Sequence, residues 1–328
     1  MRPFLYERAD SPERAVKAGG QFIAGGTTMT DLMKLDVMRP EKLVDINPLT
    51  HSRAGQIEVT DSGIRFGALV RMAQAEAHPA VRSSYPVIAD SLKLAASQQI
   101  RTMASLAGNV LQRTRCEYFR EVSWPCNKRV PGSGCSAIGG VNRQHAVLGT
   151  SGDCIASYPG DFAQALIALD AIVETTGGPK GLRLIPFAEL HRPPGNTPHI
   201  ETVLEPGELI TAIQVPAGPW TRRSRYLKIR DRDSYAFALS SAAVALDMDG
   251  DTVRQAKIAL GGIASVPWRA TEAEAALRGK RLDEASATAA AEAALAGAKP
   301  QEHNAFKVPL AKQTLIRALL ETQRMEIA

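Results

Sequence analysis

The chain has 328 residues, 45% of them hydrophobic, and a formal charge of +5 at neutral pH. That length supplies core for two domains, or one large one, without disulfide staples; no apolar run approaches the ~20 residues that span a bilayer, and Met1 to Arg8 lack the apolar run of a signal peptide. An aromatic content of 5% argues against a stacking surface for single-stranded nucleic acid, while the mild positive charge suits an anionic ligand or an acidic partner.

In chain order, Gln21 to Ala24 reads as a short buried strand that runs into Gly25-Gly26-Thr27-Thr28, followed by helical spacing from Met29 to Lys34. A strand, a glycine turn and a helix start can bring free amides close to a phosphate, with the threonine hydroxyls as further donors. A tight turn with a threonine cap explains the same residues. Leu43 to Ile46 reads as a second strand. Ile57 to Val59 and Ile64 to Leu69 form a hairpin about Asp61-Ser62-Gly63. Residues 71–77 and 80–97 read as helices, with Pro79 and Pro86 marking breaks or first turns. Ala104 to Asn109 is made of small residues, suited to a close backbone approach or to a helix C-cap.

All four cysteines, Cys116, Cys126, Cys135 and Cys154, fall in one loop-like window. Small hydrophobes scattered through a core would not cluster in this way, which leaves an iron-sulfur cluster, zinc, disulfides or unrelated thiols. The close C-x2-C pairs of a structural zinc knuckle are missing, and disulfides need an oxidising compartment. Arg101, Arg113, Arg115, Arg120, Lys128, Arg129 and Arg143 face only Glu117 and Glu121 in the same stretch. Cations so placed would favour thiolates around a metal centre. Gly132 to Ala137 matches a dinucleotide fingerprint in letters alone, since no strand precedes it.

Beyond the cysteines, His145 to Gly149 reads as a strand and Asp161 opens an amphipathic helix through Leu169, where an acidic residue commonly serves the helix start. Ala171 to Thr175 and Leu182 to Ile185 bracket a glycine-rich hairpin turn. Glu208 to Val215 is a strand, and Pro216 to Pro219 a linker. A basic strand over 222–232 reads as a solvated face. Tyr235 to Leu246 and Val253 to Gly261 form a hairpin about Asp249-Gly250-Asp251, and helices follow over 269–278, 283–298 and 306–324. Strands followed by helices give an α+β fold. The six histidines form no ligand or triad spacing, so no acid-base machinery is expected.

Phe-Ile-Ala-Gly-Gly-Thr at 22–27, Ser-x-Ala-Gly-Asn at 105–109, Asp161 and Tyr-x-Lys at 226–228 together resemble the FAD subunit of the xanthine dehydrogenase and molybdenum hydroxylase family. Leu-Gln-Arg-Thr-Arg-Cys at 111–116, Pro-Cys-Asn-Lys-Arg at 125–129, Pro-Gly-Ser-Gly-Cys at 131–135, Arg-Gln-His-Ala-Val at 143–147 and the run 230–239 are similar to one branch, the flavin subunits of three-subunit bacterial periplasmic aldehyde oxidoreductases.

The resemblance implies a two-part FAD-binding domain of the PCMH type over 1–218, with an insertion at about 113–155 holding a 4Fe-4S cluster on Cys116, Cys126, Cys135 and Cys154. A smaller α+β domain with an antiparallel sheet follows over 219–328. It also implies FAD contacts from Phe22, Ile23, Ala24, Gly25, Gly26, Thr27, Thr28 and Met29, from Ser105, Gly108 and Asn109, from Asp161 to the sugar part, from Ile210 by packing, and from Lys228 near the isoalloxazine. Ala107 stands where the family has a glycine. The expected partners are a large molybdenum-cofactor subunit and a small two-iron two-sulfur subunit in a heterotrimer, with electrons leaving through FAD to an external acceptor. Aldehydes are the implied substrate class, and export to the periplasm would proceed with a signal-bearing partner, cytoplasmic residence being the alternative. A stand-alone flavin oxidase and a zinc- or disulfide-stapled phosphate-binding module are the competing readings.

Overall fold

In the computed structural model, which describes residues 1–327, the chain is built on three sheets in an α+β arrangement. Strands β1 (Leu5–Arg8), β2 (Gln21–Ile23) and β3 (Lys42–Asp45) pair in parallel in the order β1-β3-β2. Ser11 starts the helix Pro12–Ala18 that leaves β1: its hydroxyl accepts from the Arg14 amide at 3.2 Å, and Pro12 fills the first turn, where no amide is needed. Neither β1 nor this helix is anticipated from the sequence, because all of β1 is exposed and its residues show no alternation.

Strands β4 (Ile57–Thr60), β5 (Gly63–Gly67), β6 (Ile172–Thr176), β7 (Arg183–Pro186) and β8 (Leu209–Pro216) form an antiparallel sheet in the order β4-β5-β8-β6-β7. The stretch between β5 and β6 is a single excursion that carries the 105–109 segment, the cysteine window and Asp161. Its helices include Met72–Ala77, Pro79–Ser84, Pro86–Lys93, Gln98–Met103 and Leu106–Val110. The expected 80–97 helix is broken, since Pro79 and Pro86 each begin a separate helix. The expected amphipathic helix is Phe162–Ala168, and it is buried on every face. It lies between the excursion's helices and the C-terminal sheet, so it has no solvent side.

Strands β9 (Ser224–Ile229), β10 (Ser240–Asp249), β11 (Thr252–Gly261) and β12 (Trp268–Arg269) form that sheet, antiparallel in the order β12-β11-β10-β9. Gly250 turns the β10-β11 hairpin at φ 55°. Period-two alternation divides these strands between two cores. Ala243, Ala245 and Ala259 pack toward the first sheets and helices, while Ala242, Val244, Leu246, Ile258 and Leu260 pack under the helices Thr271–Leu277, Glu284–Leu295 and Lys307–Gln323. Both faces are therefore apolar, with small residues where the N-terminal half presses closest.

Two further expectations change. His145 to Gly149 is no strand: the amides of Val147 and Leu148 both donate to the Ile263 carbonyl, at 2.8 and 3.0 Å, which docks the end of the cysteine segment on the C-terminal core. The basic 222–232 stretch is only partly a solvated face, because Tyr226 and Lys228 on β9 turn inward. No helix among the described residues is long and apolar enough to cross a membrane.

Candidate functional site

The glycine turn after β2 leads into the helix Met29–Lys34 as expected. An alanine at position 25 would put its Cβ 1.9 Å from the Met103 carbonyl oxygen, so Gly25 is required by the approach of 103–104, and Gly26 adopts φ 72°. The amides of Gly25, Gly26, Thr27 and Thr28 donate to no group of the described chain. Thr28 occupies the helix cap position yet makes no capping bond, which removes the threonine-cap explanation. Phe22 and Ala24 pack, partly buried, against the small core around Val44 and Leu49.

Ser105 to Asn109 begins a helix instead of ending one. The Ser105 hydroxyl accepts from the Gly108 amide at 3.2 Å and caps Leu106–Val110. Ala107 faces the core and its amide donates to the Ala68 carbonyl at 3.1 Å, so the missing glycine removes no approach to a ligand there. Asn109 donates weakly to the Met72 sulfur, at 3.4 Å, while its Oδ1 is buried without a partner. Two residues that sequence reasoning missed join these segments. Arg71 donates to the Met103 carbonyl and to Asn47 Oδ1, both at 2.7 Å, and Asn47 donates to the Ala24 carbonyl at 2.9 Å. Nothing in the local pattern marks them, since their partners lie on other segments.

Asp161, at the start of Phe162–Ala168, makes no capping bond. Its Oδ2 accepts from Lys228 Nζ at 2.7 Å and its Oδ1 from the Tyr226 hydroxyl at 2.6 Å. The side chains of Asp161 and Lys228 are only 5% and 1% exposed, and Lys228 also donates to the Leu94 carbonyl at 3.1 Å. The lysine charge is thus balanced within the chain, with Tyr226 a third member that sequence reasoning missed. Burial, followed by the Asp161 charge, raises the Tyr226 phenol well above its usual range. Ile210 on β8 is buried in the large N-terminal core. The Asp161–Lys228 pair and the 22–29 loop share no hydrogen bond among the described residues; they border the 94–103 segment at its two ends, at Leu94 and at Met103.

Behind that segment, His191 donates through Nε2 to the Val110 carbonyl at 3.1 Å and packs edge-on against Tyr158. Burial pulls its pKa down from 6.5 to about 4. Between those values the unfolded chain binds the proton and the folded chain does not, so stability is full above pH 6.5 and lost as the pH falls toward 4. The loss attributable to this residue is on the order of 3 kcal/mol. Denaturation midpoints measured across that range should fall steeply for the wild type and more gently for His191→Gln, which keeps a donor but does not titrate.

The cysteine window folds as three turns tied to one another. Cys126 and Cys135 face each other across an antiparallel bridge whose turn uses Gly132 and Gly134 at φ 81° and 98°. Asn127 binds the Asp153 carbonyl at 3.1 Å, and Ser151 accepts from the Cys154 amide at 3.2 Å. Thr114 accepts from the Cys116 amide at 3.2 Å and donates to the Ser157 carbonyl at 2.9 Å. All four cysteines are free thiols. Burial pushes the Cys116 thiol up to about 12, with Cys126 and Cys154 adding to the shift. It pushes Cys154 up to about 11, opposed by Lys128 and reinforced by Cys135 and Cys126. No group of three or more His, Cys, Asp or Glu among the described residues is arranged to hold a metal ion.

The basic residues of this window mostly serve as struts. Arg115 and Arg120 both bind Asp31 at 2.7 Å, Arg113 binds Glu201 at 2.5 Å, and Arg143 clasps Asp231 at 2.8 and 2.9 Å. Arg129 caps the Tyr118 and Phe119 carbonyls at 2.9 and 2.7 Å. Of these cations only Lys128 acts on a thiol, Cys154, and it too pairs with Glu201 at 3.3 Å, while acidic residues outside the window, invisible to a local count, take up Arg113, Arg115, Arg120 and Arg143. Asp31 belongs to the helix after the glycine turn, and Leu32 of that helix packs with Phe119 and Cys126. The cysteine window is therefore braced on the element that carries the amide loop.

A family model described as the FAD binding domain in molybdopterin dehydrogenase matches residues 4–218, and one described as the CO dehydrogenase flavoprotein C-terminal domain matches residues 225–322. The chain is 47% identical to the aldehyde oxidoreductase FAD-binding subunit PaoB of Escherichia coli (strain K12), over 98% of this chain and 99% of that one. It is 26% identical to the carbon monoxide dehydrogenase medium chain of Hydrogenophaga pseudoflava over 96% of each. The solved structure of reconstituted CO dehydrogenase from Oligotropha carboxidovorans shares the fold, with a TM-score of 0.76 over 98% of both chains at 24% identity. The two matched domains account for the amide loop, the segment packed on it and the C-terminal sheet in one order, and with that full-length likeness the chain belongs to the FAD-binding subunits of the molybdenum hydroxylase family.

Proposed function

We propose that this chain is the FAD-binding electron-transfer subunit of a multi-subunit, molybdenum-dependent aldehyde oxidoreductase, and that Cys116, Cys126, Cys135 and Cys154 hold a 4Fe-4S cluster. In this reading a large molybdenum-cofactor subunit and a small two-iron two-sulfur subunit complete a heterotrimer that is exported to the periplasm with a partner. The aldehyde class rests on the 47% identical relative. Recovery of the assembled complex from the cytosolic fraction alone would remove the export.

Bound FAD supplies the exchange between one-electron and two-electron carriers, and the chain's own residues supply its hold. The unpaired amides of Gly25 to Thr28 suit a pyrophosphate, and the buried, partnerless Oδ1 of Asn109 suits a ligand hydroxyl or N–H. Asp161, Lys228 and Ile210 belong to the same proposed FAD set, with Ser105 holding the second segment in place.

The observation that carries the cluster reading is the placing of four free thiols on three turns tied to one another, with Cys126 and Cys135 paired across one bridge. A single zinc ion at about 2.3 Å from each sulfur would need thiolates about 3.8 Å apart. No group of three or more such side chains among the described residues is arranged to hold a single ion, and the support for iron and sulfur is the four-thiol donor set itself. Burial that disfavours the free thiolates is relieved when metal replaces their protons.

The test is an absorption spectrum with iron and flavin analysis on the chain purified anaerobically. About four irons and one FAD per chain are expected, and Cys126→Ser should lose the iron. Zinc without iron, or unchanged iron in that variant, would overturn the ligand assignment and leave the flavin assignment standing.

A further inference from the structure

His145 is the other donor-bearing side chain at the cysteines. Its Nε2 lies 3.1 Å from the Cys116 sulfur, a hydrogen-bonding distance. A cysteine that has given its proton to a metal centre can only accept, so Nε2 must then carry the hydrogen. Nδ1 is buried with no partner, which fits the tautomer whose single hydrogen is on Nε2.

The backbone around this ring is gripped by the C-terminal domain. Asn304 Nδ2 donates to the His145 and Ala146 carbonyls at 3.4 and 3.3 Å, and the His303 amide donates to Asn142 Oδ1 at 3.0 Å. The His145 amide in turn donates to the Asn142 carbonyl at 3.0 Å, and the Ala146 amide to the Ile155 carbonyl, beside Cys154, at 2.9 Å. Lys307, wholly buried, donates to the Gln144 carbonyl at 3.0 Å and the Gly262 carbonyl at 2.7 Å. Burial lowers the Lys307 pKa from 10.5 to about 7, so an amine placed here is a costly way to hold a loop. What it holds in place is the residue that points an imidazole at one sulfur.

We propose that His145 is the positioning residue of the cysteine centre: its Nε2–H bond fixes the Cys116 sulfur and, by stabilising the more negative reduced state, sets the centre's potential above that of an unbonded one. This rests on the cluster reading above. Hydrogen bonds to ligating sulfurs are among the determinants of such potentials, and a donor shifts them upward because it interacts more strongly with the greater negative charge.

The experiment is a redox titration followed by electron paramagnetic resonance on the protein purified anaerobically with its partners. His145→Leu and His145→Gln are compared with the wild type, and iron is counted in each. With iron content retained, His145→Leu should move the cluster signal to a more negative potential, and His145→Gln, whose amide N–H can replace the imidazole donor, should stay nearer the wild type. If leucine costs the protein its iron while glutamine keeps it, the donor is required for the centre to be held, which also supports the assignment. Equal potentials in all three proteins at full iron content would overturn the positioning role alone. A wild-type chain without a cluster would instead overturn the reading beneath it.

Discussion

Asp161→Asn is expected to lower the unfolding free energy of the flavin-free chain by about 3–5 kcal/mol. Asparagine keeps the shape and an acceptor for the Tyr226 hydroxyl, but leaves the Lys228 ammonium without a counter-charge in a place where its side chain is 1% exposed. Among the described residues the Leu94 carbonyl, at 3.1 Å, is then its remaining strong acceptor. Breaking one side of a buried pair costs far more than replacing both sides by neutral groups, so adding Lys228→Met to Asp161→Asn should recover most of the loss. Denaturant unfolding of the two single variants and the double variant measures this directly. If Asp161 served the flavin alone, the flavin-free variant would unfold with the wild type and only FAD affinity would change.

The destination of these charges is what the sequence least reveals. Asp161 and Lys228 are legible as family positions, yet their pairing joins a helix start to a strand of another sheet. Arg115 and Arg120 read locally as part of a basic cluster beside cysteines, whereas their charge is taken up by Asp31 far upstream. Hairpins fare better, because Asp61-Ser62-Gly63 and Asp249-Gly250-Asp251 specify their own turns without help from the rest of the chain. The helix Met29–Lys34 is also legible from its spacing. Phe162–Ala168 is legible as a helix but not as one enclosed on all sides, since burial is decided by what packs against it. β1 fails for the opposite reason: an exposed strand has no apolar alternation to read. The confinement of four cysteines to one window is visible in the sequence, while their approach to one another depends on turns tied by Asn127, Ser151 and Thr114.

Gly25→Ala should remove FAD from the protein more completely than Gly26→Ala, although Gly26 is the one with a left-handed backbone. At Gly26 an added methyl meets the Thr30 side chain at 3.3 Å and the Ile23 side chain at 3.6 Å, and the cost is the strain of φ 72°, about 1–2 kcal/mol or roughly tenfold in affinity if it falls on the bound state. At Gly25 the methyl would lie 1.9 Å from a backbone carbonyl that has no rotamer to yield. Either the amide loop or the helix end at 103–104 must retreat, and Arg71 ties that carbonyl to Asn47 and so to the Ala24 carbonyl beside the loop. Overpacking of this kind costs ~3 kcal/mol or more, about 100-fold in FAD affinity. FAD content of the purified variants and titration of the flavin-free proteins give the ranking, and circular dichroism checks that the fold survives. A larger loss at Gly26 would mean that the turn's backbone conformation, and not the contact between the two segments, shapes the flavin cradle.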